Sequence, residues 1–259
     1  MKVLMISNQK GGVGKTTTTL ELCSVLGEKY RVLGIDLDAQ RNFSMYANAK
    51  LEDQPTVEDV LSARVLIENA VQKVDNFDIL IASKKLSEAA KIFGEPDDIF
   101  LLQDVLSQTE GYDLVLIDNA PARSPLLYMS YIASDYIIPV TECDDGALEG
   151  LHEIQTDIER FRRRNQTRIQ VLGILLTKYE KTVMHQLAYE SLEEIGKSLS
   201  CTPFETKIRK SIVVSEAKTA RQPIHSYQPK NLAARDYMAL SEEIMSRIKE
   251  RQEENGNGQ

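Results

Sequence analysis

Residues 10–17 read Lys-Gly-Gly-Val-Gly-Lys-Thr-Thr and follow directly on the apolar run Val3-Leu4-Met5-Ile6. A chain with this stretch must feed a strand through a glycine turn into a helix. Gly11, Gly12 and Gly14 permit backbone conformations closed to residues that carry a side chain. The N–H groups of Lys10, Gly11, Gly12, Val13, Gly14, Lys15, Thr16 and Thr17 then converge on one point. The helix behind them adds unpaired donors and a positive dipole end. This is a cradle for a phosphate chain. Lys15 is placed to reach β- and γ-phosphates, and the Thr16 hydroxyl to ligate Mg²⁺.

Apolar runs alternate with helical patterns along the rest of the chain. Strands are expected near 2–7, 31–36, 77–82, 112–117, 135–141, 169–176 and 203–208. Helices are expected near 16–29, 56–71, 84–93, 97–109, 124–132, 145–164, 182–199 and 231–251. Leu114-Val115-Leu116-Ile117 and Val171 to Leu176 are apolar on both faces, as in central strands of a covered parallel sheet. The pattern predicts an α/β, doubly wound, mostly parallel sheet with helices on both faces and ligands at the carboxyl ends of the strands. No Pro/Ser-rich linker divides it, so residues 1–251 read as one P-loop domain. Residues 252–259, Gln-Glu-Glu-Asn-Gly-Asn-Gly-Gln, have nothing to bury and are expected to be a disordered tail.

Two acidic sites fall at strand ends. Asp36-Leu37-Asp38 places two carboxylates on one side of an extended chain. Asp118 closes the apolar run of the strand before it, the Walker B arrangement in which a buried strand tip offers a carboxylate to the water shell of Mg²⁺. Cys23, Cys143 and Cys201 lie far apart, as reduced thiols of a cytosolic protein, and three scattered histidines form no metal set. Met1-Lys2 leads straight into the first strand, which predicts no signal peptide, and no apolar run approaches a membrane span.

The P-loop departs from G-x-x-x-x-G-K-[ST]: Gln9 stands where the first glycine belongs, and Lys10 adds a second lysine. These residues resemble the deviant Walker A ATPases of the ParA/MinD family. Asp36-Leu37-Asp38-Ala39-Gln40 is similar to that family's D-x-D-P-Q motif, with Ala39 for proline. Asn119-Ala120-Pro121 keeps one of the two prolines that usually follow the Walker B aspartate. Similarity continues through Pro139 to Glu142, Ala147 to Leu151, Gly173 to Tyr179, Lys207 to Ala217 and Gln222 to Lys230. The last two segments point to the ParA branch, similar to Soj-type partition ATPases.

The resemblance implies ATP and Mg²⁺ as cofactors and slow, partner-stimulated ATP hydrolysis. It makes Lys10, Lys15 and Asp38 the catalytic set: Lys10 reaches a partner subunit's nucleotide across an ATP-driven homodimer, and Asp38 orients the attacking water. It sets Asp36 with Thr16 and Asp118 near the metal, and brings Thr177, Lys178, Arg209 and Lys210 to the nucleotide. It implies a cytoplasmic, nucleoid-associated protein whose partners are non-specific DNA and a ParB-like centromere-binding adaptor, with no membrane.

Charge bears on the DNA expectation. The chain carries a net −8, yet residues 160–235 hold 15 Lys/Arg and 6 Asp/Glu against 16 and 33 in the remainder. Lys210, Lys218 and Arg221 are the DNA candidates, with Arg162, Arg163 and Arg164 as a second cluster. The alternative is a MinD-like or protein-cargo positioning ATPase. The stripe Tyr237, Leu240, Ile244, Ile248 would serve a membrane-seeking helix, but the acidic end after it opposes an anionic bilayer. A nitrogenase-iron-protein relative would need cluster cysteines at positions where this chain has none. No helix-turn-helix segment is expected ahead of the P-loop, which counts against operator binding.

Overall fold

The computed structural model describes every residue except 144–146, 165 and 257–259. Along β1 (Lys2–Ser7) the side chains alternate between two separate cores. Val3 and Met5 enter one, Leu4 and Ile6 the other, as the period of an extended chain requires. Both faces are apolar because both are covered.

The strands are β1, β2 (Val32–Asp36), β3 (Gln72–Val74), β4 (Phe77–Leu80), β5 (Leu114–Asp118), β6 (Tyr136–Thr141), β7 (Gln170–Val171) and β8 (Leu175–Leu176). The helices are α1 (Lys15–Gly27), α2 (Asn42–Tyr46), α3 (Val57–Leu61), α4 (Ile67–Ala70), α5 (Ala89–Ile92), α6 (Leu101–Ser107), α7 (Pro125–Ala133), α8 (Ala147–Arg163), α9 (Val183–Ser198), α10 (Val213–Ala220), α11 (Ile224–Tyr227) and α12 (Leu232–Gly256). The sheet order is β3-β4-β2-β5-β1-β6-β7, with β8 beside β6. Every pairing is parallel except the β3–β4 hairpin at one edge. This is the expected doubly wound sheet. Its register sets Ile6 and Asp36 each directly opposite Asp118, so three strand tips end at one level.

Several expectations change, some for local reasons and some through contacts with distant segments. The helix near 56–71 is two short helices, because Ala63 adopts a left-handed φ of 54° between them. The strand near 169–176 is split: the Arg247 guanidinium takes the Leu172 carbonyl, and Ile174 is bonded by the Phe204 N–H. Residues 203–208 form no strand. Phe204 and Ile208 do donate to Ile174 and Leu176, but Glu243 of α12 accepts from the Glu205 and Thr206 N–H groups instead of a neighbouring strand. The tail is helical as far as Gly256, where disorder was expected from 252. Gln252, Glu253 and Glu254 are good helix formers, and Lys249 pairs with Glu253 one turn on at 3.9 Å. Residues 257–259 of that tail lie outside the described residues.

The apolar stripe of α12 is core. Tyr237, Leu240, Ile244 and Ile248 are all buried, and the Tyr237 hydroxyl meets Thr18 of α1 at 3.3 Å. Among the described residues no helix is long and apolar enough to cross a membrane.

Candidate nucleotide site

The loop between β1 and α1 is built from two left-handed glycines, Gly12 (φ 80°) and Gly14 (φ 99°), the second being the N-cap of α1. Gly11 has no positive φ, so the strained positions number two where three were expected. The start of the loop is held by Asn8, which sequence reasoning missed. Its amide donates to Val140 O at 2.8 Å, and its Oδ1 accepts from Lys10 N at 2.8 Å. Gly150 of α8 lies against it, and a Cβ there would come within 2.6 Å of Asn8 Oδ1. The far side is held by Thr177, whose hydroxyl donates to Val13 O at 2.7 Å and lies 3.1 Å from Thr141 O. Thr177 therefore clamps the loop to the ends of β6 and β8.

Lys15 is buried, and its ammonium donates to the Lys10 carbonyl at 2.9 Å. Burial lowers its pKa; Asp118 and Asp38 pull the other way. Asp118, at the tip of β5, is fully buried, and neither carboxylate oxygen has a hydrogen-bond partner among the described residues. Burial and then the Asp36 charge push its pKa well up, against the nearby Thr16 hydroxyl and Lys15, which favour the charged form. The hydroxyl acts there by proximity, without closing a hydrogen bond of standard geometry.

An ionised carboxylate left so would cost several kcal/mol, on the order of 3–5. A divalent cation and its water shell would satisfy it, and the Thr16 hydroxyl beside it completes a hard-oxygen donor set.

Asp36 is fully committed to the protein. Oδ1 accepts from Asp38 N at 3.0 Å, and Oδ2 accepts from the Ser44 N–H and hydroxyl at 2.9 and 2.6 Å. Burial raises its pKa to about 6, opposed by those bonds. Asp36 thus fixes the loop that carries Asp38. Asp38 is half-buried and accepts from Gln40 N at 2.9 Å.

The cleft holding these groups has a volume of about 730 Å³ and is lined by the P-loop, Asp38 and residues 119–126. A larger cavity of about 1010 Å³ opens by Arg31, Lys73 and Tyr112. It lies at the amino ends of the strands, whereas the carboxylates and the phosphate cradle share the carboxyl ends, where ligands bind in such sheets.

The Lys178 ammonium pairs with Glu142 at 2.7 Å. Arg209 makes a two-toothed pair with Asp236 of α12, both bonds 2.7 Å, and Lys210 faces Glu180 at 3.4 Å. Arg221 is exposed at the end of α10. Lys218 separates from it. It is half-buried and lines the nucleotide cleft, with its ammonium 5.6 Å from the Tyr46 ring centre. Arg162 donates to Ile169 O, and Arg163 pairs with Glu159 at 3.1 Å, so much of that cluster is spent locally.

A family model described as an AAA domain matches residues 1–171. The chromosome partitioning protein ParA of Caulobacter vibrioides is 31% identical, over 97% of each chain. The chromosome-partitioning ATPase Soj of Thermus thermophilus is 32% identical, over 95% of this chain and 96% of its own. The chain belongs to the ParA/Soj family of P-loop ATPases. In fold it is similar to McdA of Cyanothece, solved as an ATP complex, with a TM-score of 0.83 at 21% identity over 94% of this chain and 96% of that one.

Proposed function

We propose that this ParA/Soj-family protein is a DNA-partition ATPase that uses ATP and Mg²⁺ to switch between monomer and dimer. The observation that carries the reading is Asp118: a buried carboxylate with no hydrogen-bond partner among the described residues, in the electrostatic field of Lys15. The family relatives named for chromosome partitioning match nearly end to end and supply the biological setting.

Thr16 and Asp118 would hold Mg²⁺, with Asp36 fixing the adjacent strand tip. The metal supplies charge neutralisation for a phosphate chain. Lys15 moves its amine from the Lys10 carbonyl to the phosphates. Asp38, on a loop already pinned by Asp36, holds the attacking water. Lys10 completes the site of a second copy, so nucleotide state sets oligomeric state. Thr177 and Lys178 belong to the base side of the site by family resemblance alone; Arg209, bound to Asp236, and Lys210, facing Glu180, do not line the cleft.

The ATP dimer binds DNA without sequence preference through exposed cations of the basic third, Lys210 and Arg221 first. A ParB-like adaptor then accelerates hydrolysis and frees the dimer. The protein is accordingly cytoplasmic and nucleoid-associated. The buried α12 stripe does not favour a membrane-positioning role.

The test is DNA binding by the purified protein with a slowly hydrolysed ATP analogue, with ADP and without nucleotide, across a salt series. Binding should need the ATP state. Its log–log salt slope should fall by about 0.9 for each phosphate contact removed, as in Lys210→Glu or Arg221→Glu. DNA binding indifferent to nucleotide would falsify the switch.

A further inference from the structure

Lys218 has no role in the site derived so far. It sits on α10, more than 200 residues from the P-loop in sequence, yet it lines the same cleft as Gly12, Lys15 and Asp38. Its ammonium stands 5.6 Å from the centre of the Tyr46 ring, on α2, just past the Asp36–Asp38 loop. That distance is within cation–π range and holds a cation at a chosen point without neutralising it. Among the described residues Lys218 forms no ion pair within 4.0 Å.

We propose that Lys218 is a nucleotide-contacting cation: Tyr46 holds it over the cleft, where it meets the phosphate groups of bound ATP. The inference rests on the ATP reading above and deepens it. It moves Lys218 from the DNA surface, where the charge of the late segment had put it, to the ligand.

The electrostatics agree with the geometry. Burial chiefly, and then Lys178, lower the Lys218 pKa, while Glu21 and Asp118 attract the charge from a distance. A half-desolvated ammonium with an aromatic face for company gains most from an anion placed beside it. A lysine that merely packs its stem on Tyr46 would lose nothing on exchange for a neutral chain of the same length. DNA reaches exposed phosphate-binding side chains, and this one is turned inward.

The experiment measures the dissociation constant of a fluorescent ATP analogue for the parent, Lys218→Met, Lys218→Arg and Tyr46→Leu, at several salt concentrations. Lys218→Met keeps the stem and removes the charge. It should weaken binding about tenfold and flatten the salt dependence of nucleotide affinity. Lys218→Arg should restore most of the loss, and Tyr46→Leu should weaken binding less than Lys218→Met. With nucleotide saturating, the salt slope for DNA should stay at the parent value in Lys218→Met. A parent that binds and a Lys218→Met variant within twofold of it overturn this proposal alone. So does an arginine variant no better than the methionine one, or a DNA slope that drops by a full contact. A parent that binds no ATP overturns the ATPase reading along with it.

Discussion

The Lys15 ammonium donates to the backbone carbonyl of Lys10 at 2.9 Å, so the two lysines of the loop meet through main chain and not through side-chain charge. Changing Lys10 leaves that carbonyl in place. Its N–H also stays available to Asn8 Oδ1. Lys10→Ala should therefore bind ATP as a monomer with affinity within about threefold of the parent, yet form no ATP dimer. Lys15→Ala should lose ATP binding itself, by a factor of 100 or more, about 3 kcal/mol. Size-exclusion chromatography with a slowly hydrolysed analogue, beside a binding titration, separates the two. A normal dimer in Lys10→Ala removes the in-trans role.

Asp38 and Asp118 should fail in opposite ways. Asp38 is half-buried with a single backbone donor, so Asp38→Ala should fold, bind ATP and stop turnover, trapping the dimer. Asp118 is buried without a hydrogen-bond donor among the described residues. Asp118→Asn removes a carboxyl group whose charged form burial disfavours, and should raise the stability of the ligand-free protein by about 1–3 kcal/mol, while Mg²⁺-dependent ATP binding is lost. Thermal melting with and without Mg²⁺-ATP reads both effects. An Asp118→Asn protein that is still stabilised by Mg²⁺-ATP as the parent is would remove the metal assignment.

The fold and the chemistry of the cleft were legible for different reasons. β1, β2 and β5 are continuous apolar runs, and each ends in the residue that chemistry needs, so periodicity and motif agree. What was not legible depends on contacts between distant segments. Glu243 diverts the N–H groups of 205 and 206, and no local pattern reports that. Asn8 is a polar residue at a strand end until Gly150 is packed on it; the Ala147–Leu151 similarity held that signal without its partner. Lys218 reads as surface charge because its neighbour Arg221 is exposed. Only the approach of α2 to α10 turns it inward.

Arg209 bears on how the late segment is anchored to α12. Its guanidinium is spent on Asp236, which also accepts the Arg209 N–H at 3.1 Å. Asp236 is buried, so Arg209→Ala strands a carboxylate. That should cost about 2–4 kcal/mol of stability. The double variant Arg209→Ala/Asp236→Ala should recover part of it, because no charge is left unpaired. Denaturant titration of the four proteins of the cycle checks this. A coupling below about 0.5 kcal/mol would show that the pair does not anchor the segment.

Glu21 gives a pH signature. It sits on the buried face of α1, one turn past Thr17, and its carboxylate accepts from the Ile224 N–H at 2.6 Å and the His225 N–H at 3.3 Å. It thus ties the nucleotide-binding helix to the start of α11. Burial raises its pKa from 4.5 to about 7, against those two bonds and the positive field of Lys218. The folded state then holds this proton more tightly than the unfolded chain does. Its contribution is fully present below pH 4.5 and is lost as pH rises toward about 7, beyond which it is constant. Glu21→Gln removes the titration and keeps an acceptor oxygen. Asp36 and Asp118 titrate in both proteins and cancel in the difference. Parent minus variant stability should therefore fall with rising pH across that window, by up to about 3 kcal/mol. Chemical denaturation of both proteins at half-unit steps from pH 4.5 to 8.5 measures it. A difference that stays level would mean that burial does not disfavour the charged Glu21, and one that climbs with pH would mean that the folded state favours the charged form; either removes the raised pKa.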